Sequence, residues 1–333
     1  MIKAVGLVSG GLDSAVACAL MQDQGIEVHA VHLSMPWGCG SIARTEALAA
    51  ALRIPLKVIP LGDDYLPLLV KPRYGFGAAL NPCVECHAYM IRKAAEYMKE
   101  IGAELVFTGE VLGQRPLSQR RRCMEWIEQA SGVPGRLLRP LSAQFFPPTL
   151  PEQAGLVDRT RLLRLSGRGR KEQKKIAGKL GVDVFSQPGG GCLLTEKIFG
   201  SRVKDVLARG CASIRELAVL GSGRYFRLDE STIVMLGRNA QENADLPALA
   251  MDNDYILETV DFPGPTAVLR GGAVSAEHLE VSAGLIQYFS RRRAGAPCRV
   301  PFRKASPQRE DGLATARILC EEQVAAMQIR ETQ

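Results

Sequence analysis

The chain has 333 residues, 46% of them hydrophobic, which is long for one domain and apolar enough for proper cores, so two domains are expected. No run of about 18 apolar residues occurs, and the start reads as a strand rather than a leader; a membrane span, a membrane partner and a signal peptide are not expected, and the cytoplasm is. Lys and Arg outnumber Asp and Glu by 42 to 35, which suits a polyanionic partner, and nine cysteines without framework spacing read as thiols for metal or catalysis rather than disulfides.

Taken in order, Ile2, Val5, Leu7 and Val8 supply a buried strand, and a helix follows over residues 13–24 with Val16, Leu20 and Met21 on one face. Between them lies Ser9-Gly10-Gly11-Leu12-Asp13-Ser14. Gly10 and Gly11 allow backbone angles that side chains forbid and let a phosphate approach. The helix N-terminus aims free N–H groups at an anion, Ser9 and Ser14 add hydroxyls, and Asp13 offers a carboxylate for Mg2+. A Walker loop would need a Lys that is absent. The bland alternative is a glycine turn joining any strand to any helix. The whole string resembles the PP-loop of ATP pyrophosphatases, which split ATP between the α and β phosphates and adenylate a substrate. That resemblance implies ATP on Ser9, Gly10, Gly11, Leu12, Asp13 and Ser14.

Strands over 27–33, 56–61 and 104–108 alternate with helices over 41–52 and 88–101, the grammar of a doubly wound parallel α/β sheet. Ligands bind such sheets at the carboxyl ends of the strands. By the same resemblance His32, Leu33 and Ser34 face adenine, and Thr108 and Gly109 lie beside the nucleotide. His32 equally suits a satisfied histidine at the sheet's end.

Asn81-Pro82-Cys83-Val84-Glu85-Cys86-His87 leads into the helix over 88–101, expected to begin near Cys86. Two thiols at a helix N-terminus have thiolate character. Alone, C-x-x-C means zinc, a redox pair or iron–sulfur ligands, and two incidental buried cysteines are the plain reading. Further on, Ser186-Gln187-Pro188-Gly189-Gly190-Gly191-Cys192 makes room for a close approach beside Cys192, where a flexible linker is the alternative.

Positive charge gathers at Arg115, Arg120, Arg121 and Arg122, with Arg136 and Arg139 soon after, and again over 159–179, including Arg168, Arg170 and Lys171. Such a run is ordinarily a solvated face, but the one-sided bias favours a nucleic-acid backbone. Beyond about residue 211 short strands (224–228, 232–236, 255–260, 266–269) and a helix over 275–292 read as a small α+β domain. The domains are therefore set at 1–210 and 211–333. The strings Gly237-Arg238-Asn239-Ala240-Gln241-Glu242-Asn243 and Tyr288-Phe289-Ser290-Arg291-Arg292-Arg293 resemble an NFACT-R RNA-binding module, with Arg291, Arg292 and Arg293 as RNA contacts.

A PP-loop, a C-x-x-C and a distant Cys after glycines together resemble the PP-loop tRNA thiolases over residues 1 to about 200. These are the 4-thiouridine synthetases, the 2-thiouridylases and the iron–sulfur-dependent 2-thiolases. The resemblance implies ATP, Mg2+ on Asp13, tRNA, and a sulfur donor, either a cysteine desulfurase or free sulfide. Cys83, Cys86 and Cys192 serve sulfur transfer, either around a 4Fe–4S cluster or through a persulfide resolved as a disulfide; with His87 they also suit zinc. Cys39 is a fourth candidate near the nucleotide, and Cys18, Cys123, Cys211, Cys298 and Cys320 read as structural. The 4-thiouridine synthetases bring tRNA through an N-terminal THUMP domain; this chain starts at the PP-loop, so its C-terminal module is the expected substitute. Uridine 4-thiolation is the favoured reaction, with a homodimer possible. A zinc-bearing ligase or amidotransferase on a small metabolite and a non-catalytic RNA binder with a relic PP-loop are the rivals.

Overall fold

Strand β1 (Lys3–Leu7) is the middle of a five-stranded parallel sheet in the order β3-β2-β1-β4-β5. The other strands are β2 (Glu27–Ser34), β3 (Leu56–Pro60), β4 (Leu105–Thr108) and β5 (Leu137–Leu138). The chain winds outward from β1 to β3 on one side and then crosses to β4 on the other, so the switch point lies between β1 and β4. Crevices at switch points take ligands in such sheets. Gly6 pairs in register with Phe107 of β4, and a Cβ on Gly6 would stand 2.5 Å from the Phe107 ring. The central strand carries a glycine because an aromatic ring occupies the space above it.

Helices α1 (Leu12–Asp23), α2 (Ile42–Leu52) and α7 (Lys171–Lys179) share a core with Ala4, Val28, Ala30, Leu105 and Phe107. The alternate strand positions Val5, Val31 and Val106 are also fully buried, and α4 (Cys83–Glu100) packs on β1 and β4. Short helices α3 (Leu66–Val70) and α6 (Leu150–Gln153) and the longer α5 (Arg121–Ala130) fill the connections. Helix α1 departs from the single apolar face expected for it. Ala15, Val16, Ala17, Cys18 and Met21 are all fully buried, because α2 and α7 cover what the sheet leaves open. Helix α4 starts at Cys83 rather than near Cys86: Cys86 N–H already donates to the Pro82 carbonyl at 2.8 Å, the first helical bond.

The structure is a computed structural model and describes residues 2–38, 40–185, 191–210, 213–291, 295–306 and 310–329. Cys39, residues 186–190, Cys211, Arg292 and Arg293 lie outside the described residues. Two compact units divide at Met1–Thr195 and Glu196–Gln333, ahead of the boundary expected at 210/211. Helix α8 (Lys197–Ala208) joins the second unit through its polar side chains. Asp205 accepts from the Tyr225 hydroxyl and, at 2.9 Å, from Arg227, while Arg202 donates to the Leu220 carbonyl.

The second unit is a six-stranded antiparallel sheet ordered β11-β10-β8-β9-β7-β6. Its elements are α9 (Ile214–Ala218), β6 (Arg224–Arg227), β7 (Ile233–Leu236), α10 (Ala240–Asp245), β8 (Tyr255–Leu257), β9 (Ala267–Arg270), α11 (Ala276–Tyr288), β10 (Arg299–Lys304), β11 (Asp311–Thr315) and α12 (Glu321–Met327). Helix α11, capped by Ser275, buries Ala283, Leu285 and Ile286 against Phe226, Leu236, Leu257, Leu269 and Val300. Among the described residues no helix is long and apolar enough to cross a membrane.

Candidate functional site

The loop from β1 to α1 is shaped by its backbone. Gly10 sits at φ +74, a left-handed conformation, with the backbone of Arg44 and Thr45 only 3.1 Å from where a Cβ would be. Gly11 is different: its φ is −93, so it needs no special angle, and it serves as the open N-cap of α1. The buried Ser14 hydroxyl donates to the Gly11 carbonyl at 2.9 Å. Ser9 is exposed, and Leu12 sends its side chain into the core, leaving its backbone to face the loop. The first N–H groups of a twelve-residue helix thus point out of the sheet's carboxyl end, where an anion is favoured.

Asp13 stands at that helix start. Its Oδ2 accepts from Gln114 Nε2 at 2.7 Å and lies 3.9 Å from Arg170 Nη2. Its Oδ1 is buried with no partner. An unpaired, buried carboxylate oxygen is costly without a cation or donor, so it fits Mg2+. Gln114 and Arg170 reach Asp13 because their loops are stitched together: Gly167 N–H donates to the Leu112 carbonyl at 2.7 Å, and Leu112 bridges Ser166. Reading the sequence placed Arg170 with the basic run and overlooked Gln114. The only local signal for either is the loop glycine Gly113, at φ +74, beside Gly167, at φ +83.

Gly109 closes the opposite wall. A Cβ there would lie 2.6 Å from the Asp13 carbonyl carbon and the Ser14 nitrogen, so β4 can end this close to α1 only with glycine. Thr108 donates to Glu110 at 3.1 Å. Glu110 is buried and takes His87 Nδ1 at 2.7 Å and Arg139 Nε at 3.1 Å. Burial alone would raise the Glu110 carboxyl, but the His87 hydrogen bond and the Arg139 charge outweigh it and hold it at about 2. His32 is also buried, which lowers its pKa, and its Nδ1 meets the Val8 carbonyl at 3.2 Å and the Thr45 hydroxyl at 3.1 Å. Its ring therefore ties β1, β2 and α2 together through Nδ1. Leu33 is buried and Ser34 half-buried at the end of β2, where the Ser34 carbonyl accepts from Leu61 N–H at 3.0 Å.

Both thiols of the C-x-x-C occupy the first turn of α4, with Pro82 as N-cap. Asn81 is buried and donates through Nδ2 to Cys83 Sγ at 3.1 Å, its Oδ1 held by Ala79 N–H at 3.2 Å. The segment of Cys192 is strapped from both sides. Leu193 N–H donates to the Trp37 carbonyl at 2.9 Å, and the Leu194 carbonyl accepts from Leu80 N–H at 3.0 Å. Cys192 is thereby carried between the loop after β2 and the lead-in to Cys83. Among the described residues no three His, Cys, Asp or Glu side chains gather to hold a metal ion. Cys83, Cys86 and Cys192 are thus not drawn into a single-ion set, and His87 meets Glu110 through Nδ1, the carboxylate bond that a metal-ligating histidine also makes. A donor set of thiolates suits an iron–sulfur cluster, which spreads its ligands over several irons, and by donor type suits zinc as well. Cys18 is fully enclosed in α1, and burial pushes its thiol up to about 12.

Residues 2–144 match the family model described as thiamine biosynthesis protein (ThiI), and residues 223–326 match that of the NFACT protein RNA-binding domain. The chain carries a ThiI domain and an NFACT RNA-binding domain. It is 33% identical over 148 residues to a probable tRNA sulfurtransferase of Thermococcus kodakarensis, covering 42% of this chain and 36% of that protein. It is 34% identical over 111 residues to the tRNA-specific 2-thiouridylase MnmA of Trichlorobacter lovleyi, covering 31% of each. The chain spans about a third of the length of these relatives. A solved 4-thiouridine synthetase–RNA complex with bound ATP aligns with 54% of this chain and 51% of its own at 23% identity, with a TM-score of 0.36.

The basic residues divide sharply within the ThiI domain. Arg115, Arg120, Arg121, Arg122, Arg168 and Lys171 are exposed. Arg139 is not a surface cation at all: it is buried, paired with Glu110 and Glu128 and donating to the Met124 carbonyl at 2.9 Å. Arg159 is likewise spent on Glu152 and on the carbonyls of Ala143 and Phe146. In the NFACT domain Arg291 is exposed at the end of α11, and Arg224 lies over the Phe289 ring at 4.5 Å.

Proposed function

We propose that this chain is an ATP-dependent tRNA sulfurtransferase that converts a uridine to 4-thiouridine. The observation that carries the reading is one unit holding two devices: a PP-loop whose Asp13 keeps a buried, unpartnered oxygen, and a strap that brings Cys192 toward the helix of Cys83 and Cys86. ATP lies with its phosphates on the backbone of residues 9–14, against the N-terminus of α1. Asp13, oriented by Gln114, would hold Mg2+, which would draw charge from the phosphates. The uridine carbonyl oxygen attacks the α-phosphorus, and pyrophosphate leaves. Sulfur then attacks that carbon of the base, its bond to the adenylated oxygen breaks, and AMP departs. Cys83, Cys86 and Cys192 would hold a 4Fe–4S cluster, which would supply sulfide to the activated base. Asn81, donating to Cys83, steadies charge on that sulfur. The exposed arginines of the ThiI domain, with the exposed Arg291 of the NFACT domain, grip the RNA backbone.

Mass spectrometry of tRNA nucleosides from cells with and without the gene tests this. Loss of 4-thiouridine, restored by the wild-type chain and not by Cys192→Ala, is the expected result. Loss of a 2-thiolated nucleoside instead would move the reaction to the other carbonyl. Retention of every thiolated nucleoside in a strain with no second thiolase would sink the reading.

A further inference from the structure

A cavity of about 650 Å3 opens in the first unit, lined by Tyr74, Arg120, Arg121, Arg122, Cys123 and Glu125. Sites for nucleotide-sized ligands run to about 300–1,000 Å3. Behind it two aromatic rings meet at the surface: Tyr74, 45% exposed, and Trp126, with centroids 4.5 Å apart at an interplanar angle of 58°. Arg73 lies over the Trp126 ring at 5.9 Å. Helix α5 explains the pairing. Its buried side is Met124 and Ile127, which turns Trp126 toward the rim and Arg121 and Arg122 outward. Arg121 is occupied by Glu125, by the Phe145 carbonyl and by the Phe146 ring. Arg120 and Arg122 have no carboxylate partner among the described residues.

The position of the cavity is as informative as its lining. Tyr74 N–H donates to Glu85, which lies between Cys83 and Cys86 in the first turn of α4. The aromatic wall is therefore fastened to the turn that carries the thiols. Exposed aromatics among uncompensated arginines are the chemistry of single-stranded RNA binding: the rings stack on unpaired bases and the guanidinium groups take phosphates.

We infer that this cavity receives one unpaired nucleotide of the RNA substrate, its base stacked on Tyr74, which Trp126 backs, and its phosphate held by Arg120 and Arg122. The inference rests on the proposed RNA substrate and adds the place where an extruded nucleotide waits beside the thiols. A base inside a duplex has no free face to offer, so the cavity selects unpaired RNA. An acidic peptide would use the arginines but not the rings.

The chain has two tryptophans, and Trp37 is fully buried, so the difference between wild type and Trp126→Phe isolates the fluorescence of Trp126. Titration of the full chain with a short oligouridylate should quench that signal saturably, while a duplex of equal length should not. Tyr74→Ala should weaken binding roughly 5- to 150-fold, the range of one lost base stack. Arg120→Ala with Arg122→Ala should also weaken it and flatten its salt dependence. Absence of quenching, equal quenching by duplex, or unchanged affinity in both variants would overturn the inference. A response to a poly-glutamate peptide and none to oligouridylate would overturn it in favour of a protein ligand. The two readings separate cleanly. If oligouridylate binds as described while every thiolated nucleoside persists, the pocket stands and the thiolation falls. If thiolation is lost without the gene but Tyr74→Ala and the arginine pair bind and complement like wild type, the pocket alone falls.

Discussion

Two turns lead into helices in the first unit, and they are held by opposite means. The turn of residues 9–14 is defined by backbone: a left-handed Gly10, a hydroxyl tie from Ser14 to Gly11, and Gly109, where an added Cβ would stand 2.6 Å from the Asp13–Ser14 peptide. The turn of residues 81–86 is defined by side chains. Asn81 holds Cys83, Glu85 reaches Tyr74, and His87 reaches Glu110. The phosphate cradle is closed to substitution because there is no room. The thiol turn is placed by partners that other residues could replace, so its chemistry can be retuned from a distance while the cradle stays fixed.

Glu110 belongs to both turns, following Gly109 and clamping His87, and its loss should be the largest effect. Glu110→Gln takes away one of the two carboxylates on buried Arg139 and leaves Glu128, and denaturant unfolding should show a loss of about 1.5–3 kcal/mol. Because the folded carboxyl is held at about 2, below its ordinary 4.5, its contribution is fully present above the usual carboxylate range and fades as pH falls toward 2. Acid titration of the wild type should show that fading, and the Gln variant should lack it.

The next effects should separate the turns. Asp13→Asn should slow pyrophosphate release roughly 100- to 1,000-fold and leave alkylation of Cys83 and Cys192 unchanged; altered thiol reactivity would mean that the turns are not independent. Gly109→Ala should cost about 1–3 kcal/mol, since backbone rather than a flexible side chain must move, and should raise the KM for ATP. Asn81→Ala should be the mildest, lowering sulfur transfer roughly 2- to 10-fold, the worth of one hydrogen bond, with ATP turnover intact. A matching fall in ATP turnover would erase the distinction.

The same contrast explains what was readable in advance. The PP-loop and the C-x-x-C are contiguous strings, and the apolar strands β1 to β4 alternate with helices, so the parallel sheet could be read directly. Gln114 meets Asp13 across 101 residues, and nothing in either neighbourhood announces the pair. Charge counting misjudged Arg139, because a guanidinium between two carboxylates can sit inside a fold. Strands β10 and β11 escaped notice for a physical reason. Arg-Val-Pro-Phe-Arg-Lys and Asp-Gly-Leu-Ala-Thr have little apolar alternation, and their pairing is consolidated by the Phe302 ring lying over Gly312, whose Cβ would be 2.6 Å away. Burial by cross-strand packing does what the pattern does not show.

The strap around Cys192 has a consequence for timing. Leu193 N–H and Leu80 N–H are each sealed by a carbonyl across the same joint, Trp37 on one side and Leu194 on the other. Peeling residues 192–194 away would open both amides in one event. In hydrogen exchange they should therefore behave as a single clock, trading deuterium at matched rates, and that shared rate would measure how often the third thiol leaves its station.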